Sequence, residues 1–519
     1  MSLDRRTFLM MLGAASVAGP AGALPMFKGE ARPFSRLWLK QEAARLAGED
    51  YQPMPEVDQS WRDLTYDQYR ALVFDTKKSL WSDTDRAFQM DLFHPGLYFP
   101  RPIEINVVEG DEARTLAFDL TLFKRYKQFP KELVDKAMDE DPMDSKLGYS
   151  GLRLRHELSK PGKFEEFMVF QGASYFRAIA TGQNYGLSAR GLALNTGDAA
   201  GEEFPEFTRF WVEAPGEDAS EIIVHALLDG PSTTGAYSFT ITPGAPAHVA
   251  VEATLYPRTE LTHVGIAPLT SMFLFDQTNR TRFDDFREAV HDSEGLLVYN
   301  GAGEMLWRPL ANPATLQVSS FVDDNPRGFG LMQRAREVED FADLEAHYHN
   351  RPSLWITPDG GWGRGSVTLV EIPADKEIYD NIVAYWRPRE PLAAGQEHDF
   401  AYQMHWGGEP EGVRPVARVL NSRIGKGYDK TKPYSIIAVD FADHEAFGTE
   451  EKDLDGITRF IGANRGEVTE GVLQRNPGTG GVRLAFKFEP GEATSAEFRV
   501  QLVKDGKSLT EVWLYRWTA

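Results

Sequence analysis

The chain has 519 residues, 42% hydrophobic and 26% charged, which is ordinary usage for a folded protein and suggests roughly two or three domains. Its formal charge of −21 repels phosphate backbones and argues against nucleic acid as a partner. Cysteine is absent, which excludes a disulfide framework, a cysteine-bound zinc and a thiol nucleophile, and suits folding in a reducing compartment.

The N-terminus reads as an export signal. Arg5-Arg6 precede Thr7-Phe8-Leu9 and an apolar run over about 8–18, and Ala21-Gly22-Ala23 offers an A-x-A cleavage site. That run is shorter than the ~18 residues that span a bilayer. The adjacent arginines mark the twin-arginine route, which carries folded proteins, although Asp4 stands where Ser or Thr is more usual. A signal over 1–23 and a mature chain without a stable membrane span, starting near Leu24, are therefore expected.

Helical periodicity is scarce. It is best over 36–46, with Leu37, Leu39, Ala43, Ala44 and Leu46, and recurs over 337–348, where Phe341, Leu344 and Tyr348 fall at i, i+3 and i+7. Elsewhere short β-rich runs alternate with Gly, Pro, Asn and Asp, for example at 102–108, 221–228, 249–256 and 496–503. This pattern predicts antiparallel sandwiches. The stretch 387–397 (RPREPLAAGQE) reads as a linker between a large β-domain over 24–386 and a smaller one over 398–519, close to the ~100 residues of an immunoglobulin-like sandwich.

No G-x-S-x-G elbow, Walker loop or H-E-x-x-H occurs. Gly361, Gly363 and Gly365 do not join a strand to a helix, as a phosphate cradle would. Asp343 and His347 would share a helix face, as metal ligands do. A helix end with solvated polar groups is the simpler reading, so neither metal nor cofactor is expected. More informative is the mixture over 347–386: Tyr348, Arg351, Trp355, Trp362, Glu371, Glu377, Asp380, Tyr385 and Trp386. Sugars present flat apolar faces ringed by hydroxyls, so their sites combine aromatic platforms with acids and arginine. His291-Asp292-Ser293-Glu294-Gly295 adds another acidic turn. Taken alone, Asp292 and Asp380 are most simply turn residues that cap their own backbone.

Longer segments carry a resemblance. FHPG at 93–96, FQGASYFR at 170–177, YGLSARGL at 185–192, GIAPLTSMF at 265–273, HDSEGL at 291–296, WRPLANP at 307–313, RPSLW at 351–355 and EIPADKEIYDNIVAYW at 371–386 together resemble the OpgG/OpgD (MdoG) family of osmoregulated periplasmic glucan biosynthesis proteins. The resemblance implies a periplasmic, all-β protein: a large mutarotase-like antiparallel β-sandwich followed by a smaller immunoglobulin-like one. It further implies an endo-acting, anomer-inverting glucanase working on β-1,2-linked glucan. The alternatives are a transglycosylase, cyclising or not, and a non-catalytic glucan-binding scaffold. On matching positions, Asp380 is the general acid, Asp292 the general base and Tyr348 part of the proton path, while Arg351, Trp355, Trp362 and Glu377 bind substrate. The implied partners are the glucan and the twin-arginine export machinery, with a homodimer left open. Glu294 replaces a more usual Asp, and Tyr385 a more usual Phe. Arg5-Arg6 tilts the reading toward the OpgD-like branch.

An inverting hydrolase needs one protonated and one ionised carboxyl, typically ~6.5–9.5 Å apart. Asp380, among Ile378, Tyr379, Ile382 and Val383, is expected to be buried, which would raise its pKa. Asp292 is expected to stay ionised in a more polar turn. In a β-1,2 chain each internal 2-hydroxyl is taken by the linkage, so protons are expected to pass through a sugar hydroxyl or water with Tyr348 in the relay. The stretch 426–433 (KGYDKTKP) is a candidate cover for the cleft.

Overall fold

The structure, a computed structural model, describes residues 27–139, 141, 145–410, 416–428 and 434–519. The signal region with Arg5-Arg6 lies outside them, as do residues 429–433 of the candidate cover. Among the described residues the strands form one sheet of 16, one of 10, one of five and two short pairs, so the protein is all-β as its alternating pattern predicts. The expected strands are found at Glu104–Glu109, Ile222–Asp229, Ala247–Pro257 and Ser495–Lys504.

The two large sheets face one another. Phe170 and Phe176 of the smaller one each meet Phe239 of the larger at 5.2 Å between ring centroids, and Trp386 and Trp406 are fully buried in the same core. Burying one such side chain stabilises the fold by about 1.5–3 kcal/mol. The helix Arg36–Ala47 begins where Ser35 accepts a hydrogen bond from the Trp38 amide. Its buried residues Leu39 and Ala43, one turn apart, pack with Trp211, Ala236 and Tyr256 of the larger sheet.

The second expected helix is reduced to Val338–Phe341. Ala342 adopts a left-handed conformation with φ 52°, and the Asp343 carboxylate accepts the amides of Glu345 at 2.8 Å and Ala346 at 2.6 Å. Asp343 thus offers the backbone an alternative to the helix, and only a single 3-10 turn follows at Tyr348–Asn350.

The chain does not leave the large sheet at the 387–397 linker. The ten-residue strand His398–Gly407 is paired along its length between Ala247–Pro257 and Ser353–Asp359. We therefore place the start of the smaller unit after Gly407. The sheet itself continues into that unit: Val512–Thr518 runs parallel to Met305–Pro309 and carries Ser495–Lys504 and Thr458–Ala463 beyond it. The five-stranded sheet covers this extension around Val419, Ile437, Leu484 and Trp513. Leu297, Met305, Trp307, Met332 and Trp355 belong to this second core, so the two sandwiches share one continuous sheet.

Candidate active site

Asp292 follows the short strand Val290–His291, which pairs with Phe273–Phe275, and its amide donates to Met272 O at 2.8 Å. A small apolar cluster of Met272, Phe275, Val290, Phe341 and Tyr348 underlies this turn. The more polar turn expected for Asp292 is completely buried, the residue being 0% exposed. Its carboxylate instead accepts a hydrogen bond from Arg351 Nη1. Arg351 also donates to Ala346 O at 3.0 Å, and its guanidinium lies 4.2 Å from the centre of the Tyr348 ring. Gly186 rests against this arginine: a Cβ there would come within 2.9 Å of Arg351 Cβ, so only glycine lets the 185–192 segment close so tightly. Arg351 was expected to line the cleft; it is buried and grips Asp292.

Two buried neighbours fix the backbone. Burial lowers the pKa of His291 to about 4, so its ring is neutral. Gln333 Nε2 donates to His291 O at 3.0 Å and Tyr348 O at 3.1 Å, which leaves Oε1 to accept from His291 Nδ1 at 2.8 Å. One amide side chain therefore ties the Asp292 turn to the Tyr348 turn.

Tyr348, also buried, donates its hydroxyl to Glu377 Oε2 at 3.2 Å. Glu377 pairs with Arg287 at 2.8 Å, and the same guanidinium nitrogen donates to Asp343 at 3.0 Å. Asp343 is thus committed to Arg287 and its own loop rather than to His347. Three residues after Glu377, the Asp380 side chain is 29% exposed, with Arg177 Nη2 3.7 Å from its Oδ2. Arg177 is itself steadied by donating Nε to Ser188 Oγ at 2.6 Å. The expected burial of Asp380 is not found. Ile378 and Tyr379 are 36% and 50% exposed, since the 372–381 loop turns outward between the paired residues Glu371 and Ile382.

Asn381 takes the inward position. Its Nδ2 donates to Phe273 O at 2.9 Å and Ile372 O at 3.0 Å, and its Oδ1 accepts from Phe273 N at 2.9 Å. Phe273 pairs with His291, and Met272 holds the Asp292 amide. The two aspartates are therefore carried on adjoining backbone, one in a buried ion pair and the other half open to water.

Trp355 and Trp362 do not join them. Trp355 lies out of phase with Leu354 and Ile356, so strand alternation turns it into the second core, over Gly328, where a Cβ would come within 2.3 Å of its indole. Trp362 stands on the turn before the eight-residue strand Arg364–Glu371, whereas the Asp380 loop follows that strand, about 25 Å away at ~3.3 Å per residue. It packs on Trp386, Phe400 and Tyr402 with ring centroids 6.0 to 6.4 Å away. Sequence reasoning missed Arg177, Arg287, Gln333 and Asn381. Arg177 and Asn381 stand inside two of the characteristic segments, which was their only signal.

Fold and site define an all-β protein in which adjoining loops at one sheet end set two aspartates in unlike surroundings. The chain belongs to the family described as "Periplasmic glucan biosynthesis protein, MdoG", which matches residues 34–517. It is 47% identical over 467 residues to "Glucans biosynthesis protein G" of Vibrio cholerae serotype O1, covering 90% of this chain and 83% of the relative. Over 478 residues it is 48% identical to the protein of that name from Shewanella baltica, covering 92% and 86%. The "Glucans biosynthesis protein G 1" of Shewanella oneidensis is 47% identical over 483 residues, covering 92% and 85%. The family is periplasmic, and no helix among the described residues is long and apolar enough to cross a membrane. These relatives carry the name G, so the OpgD-like branch rests on Arg5-Arg6 alone.

Proposed function

We propose that the chain is an endo-acting, anomer-inverting β-1,2-glucanase, with Asp380 as general acid and Asp292 as general base. One observation carries this reading: two aspartates share a backbone anchor at Phe273 yet differ in burial and in how closely an arginine holds them. Asp292 is buried in a direct ion pair with Arg351, whereas the Asp380 side chain is 29% exposed, with Arg177 Nη2 3.7 Å from its Oδ2. A glucan covering the Asp380 loop removes its water, and desolvation moves a carboxyl toward its protonated form. That is the division of labour an inverting hydrolase needs. Because Asp292 has no exposed surface, its proton arrives through neighbouring groups. The contact of Tyr348 with Arg351 and its bond to Glu377 on the Asp380 loop support Tyr348 as the relay. Membership of a glucan biosynthesis family supports the substrate class.

The same burial favours a second reading, a transglycosylase that admits a sugar hydroxyl more readily than bulk water. Incubating mature protein with linear β-1,2-glucan and weighing the products separates the two. Shorter chains that have each gained water support hydrolysis, and Asp380→Asn then abolishes turnover while glucan binding persists. Water-free rings or redistributed lengths mean transfer, and near-normal turnover by the variant removes Asp380 from the acid role. Unchanged substrate sinks both readings in favour of a scaffold.

A further inference from the structure

The Arg287 guanidinium gathers three loops, bonding to Asp285 on its own loop, Asp343 on the second and Glu377 on the third. Each anchor has an exposed apolar neighbour. Phe286, beside Arg287, is 82% exposed, and Leu344, beside Asp343, is 78% exposed; Ile378 and Tyr379 follow Glu377. The loop presenting Phe286 is firmly pinned. Phe283 stacks on Phe275 at 5.2 Å, Arg280 donates to Glu288 at 2.8 Å and to Asp285 O at 3.2 Å, and Arg282 donates to Asn312 O at 2.5 Å. Phe286 is therefore held in water by the structure around it. Single exposed apolar residues are ordinary, but here four of them stand within two residues in sequence of the members of one ion-pair hub, which brings their loops together.

We infer that this rim is a glucan subsite adjoining the candidate acid, with Phe286 and Tyr379 as its stacking platforms. The inference rests on the glucan reading above. A pyranose offers a flat face of C–H bonds that matches an aromatic ring, while its edge hydroxyls match the Glu377 carboxylate, the most open of the hub's groups at 32% exposed. The rim is continuous with the site: Tyr379 precedes Asp380, and Glu377 accepts the Tyr348 hydroxyl. A chain lying on the rim thus leads directly to the reacting linkage. A protein partner suits the surface less well, since the centres of protein interfaces are depleted of charge and these rings are interleaved with it.

The test is equilibrium binding of linear β-1,2-glucan oligomers to Asp380→Asn protein, which leaves the substrate intact. Adding Phe286→Ala or Tyr379→Ala should weaken binding about tenfold, the size of one aromatic contact. Phe286→Trp should keep it, and Phe460→Ala, an exposed ring on the distant smaller unit, should change nothing. Unchanged melting temperatures would assign the loss to binding. If Asp380→Asn protein binds glucan and the alanine variants bind it equally well, the rim is not a subsite although the glucan reading stands. If Asp380→Asn protein binds no glucan, the substrate reading falls and the rim with it.

Discussion

At Arg351 a charge expected to face substrate turns inward, with its side chain and that of Asp292 both at most 2% exposed. Such a pair gains stability only where geometry and additional hydrogen bonds offset the desolvation of both ions. Arg351 meets that condition in part, with the Asp292 carboxylate, Ala346 O and the Tyr348 ring as three separate contacts, while its Nε is buried without a hydrogen-bond partner among the described residues. Arg351→Met keeps much of the side-chain length and removes the charge beside a buried carboxylate. Urea unfolding should show a loss of about 3–5 kcal/mol. Combined with Asp292→Asn, the double variant should lose less than the sum of the singles by about 1 kcal/mol or more, as contacting groups do. Strictly additive losses would mean that the pair is not coupled.

The loop 372–381 and the strand Phe273–Phe275 form the element on which the site depends, and Asn381 is the joint between them. Its three side-chain bonds to Phe273 and Ile372 are each worth about 1 kcal/mol, so Asn381→Ala should destabilise by about 2–4 kcal/mol. It should also speed amide exchange at Phe273, and unaltered exchange there would show that the joint is held by something else. Strands and the helix Arg36–Ala47 were legible because alternation and a 3.6-residue period are local properties. The helix expected at 337–348 failed through one residue, Asp343, whose carboxylate caps its own loop. The tryptophans misled for a different reason. Trp355 and Trp362 are close to Asp380 in sequence, but a strand turns one to the opposite face and separates the other by its whole length. Asp380 and Asp292 were singled out through their segments, and the structure sets them on adjoining backbone. Arg351 was named with a different partner and Arg177 not at all, since an arginine's partner is fixed by long-range contacts that spacing does not encode.

Across the whole molecule, the site and the smaller unit meet at Arg334. Its guanidinium reaches Glu511 at 2.7 Å, Glu409 at 2.6 Å and Val419 O at 2.6 Å, and lies 3.5 Å from the centre of a Trp307 ring. The amides of Arg334 and Ala335 both donate to Glu294 Oε2 at 3.1 Å, two residues after Asp292. Burial pushes Glu294 up to about 7 against the pull of Arg334. The sign of its effect is opposite to that of a surface carboxylate. Below pH 4.5 the folded and unfolded chains both hold this proton; between 4.5 and about 7 only the folded chain does. Stability from this group is therefore complete below 4.5 and falls by about 1.4 kcal/mol per pH unit until the folded group ionises. Glu294→Gln keeps an acceptor for the two amides and has no proton to lose. Relative to the natural protein, the variant should gain stability in urea as pH rises from 4.5 to about 7, then run parallel above it. Asp276, which burial raises to about 6, interacts with Glu294, so the comparison is made with Asp276→Asn in both proteins to keep its titration out of the difference. A difference that stays constant with pH would show that Glu294 ionises freely. If the slope is found, the charge that Glu294 takes up near neutrality lies two residues from the candidate base and on the amide of Arg334, whose guanidinium bonds Glu409, Val419 O and Glu511.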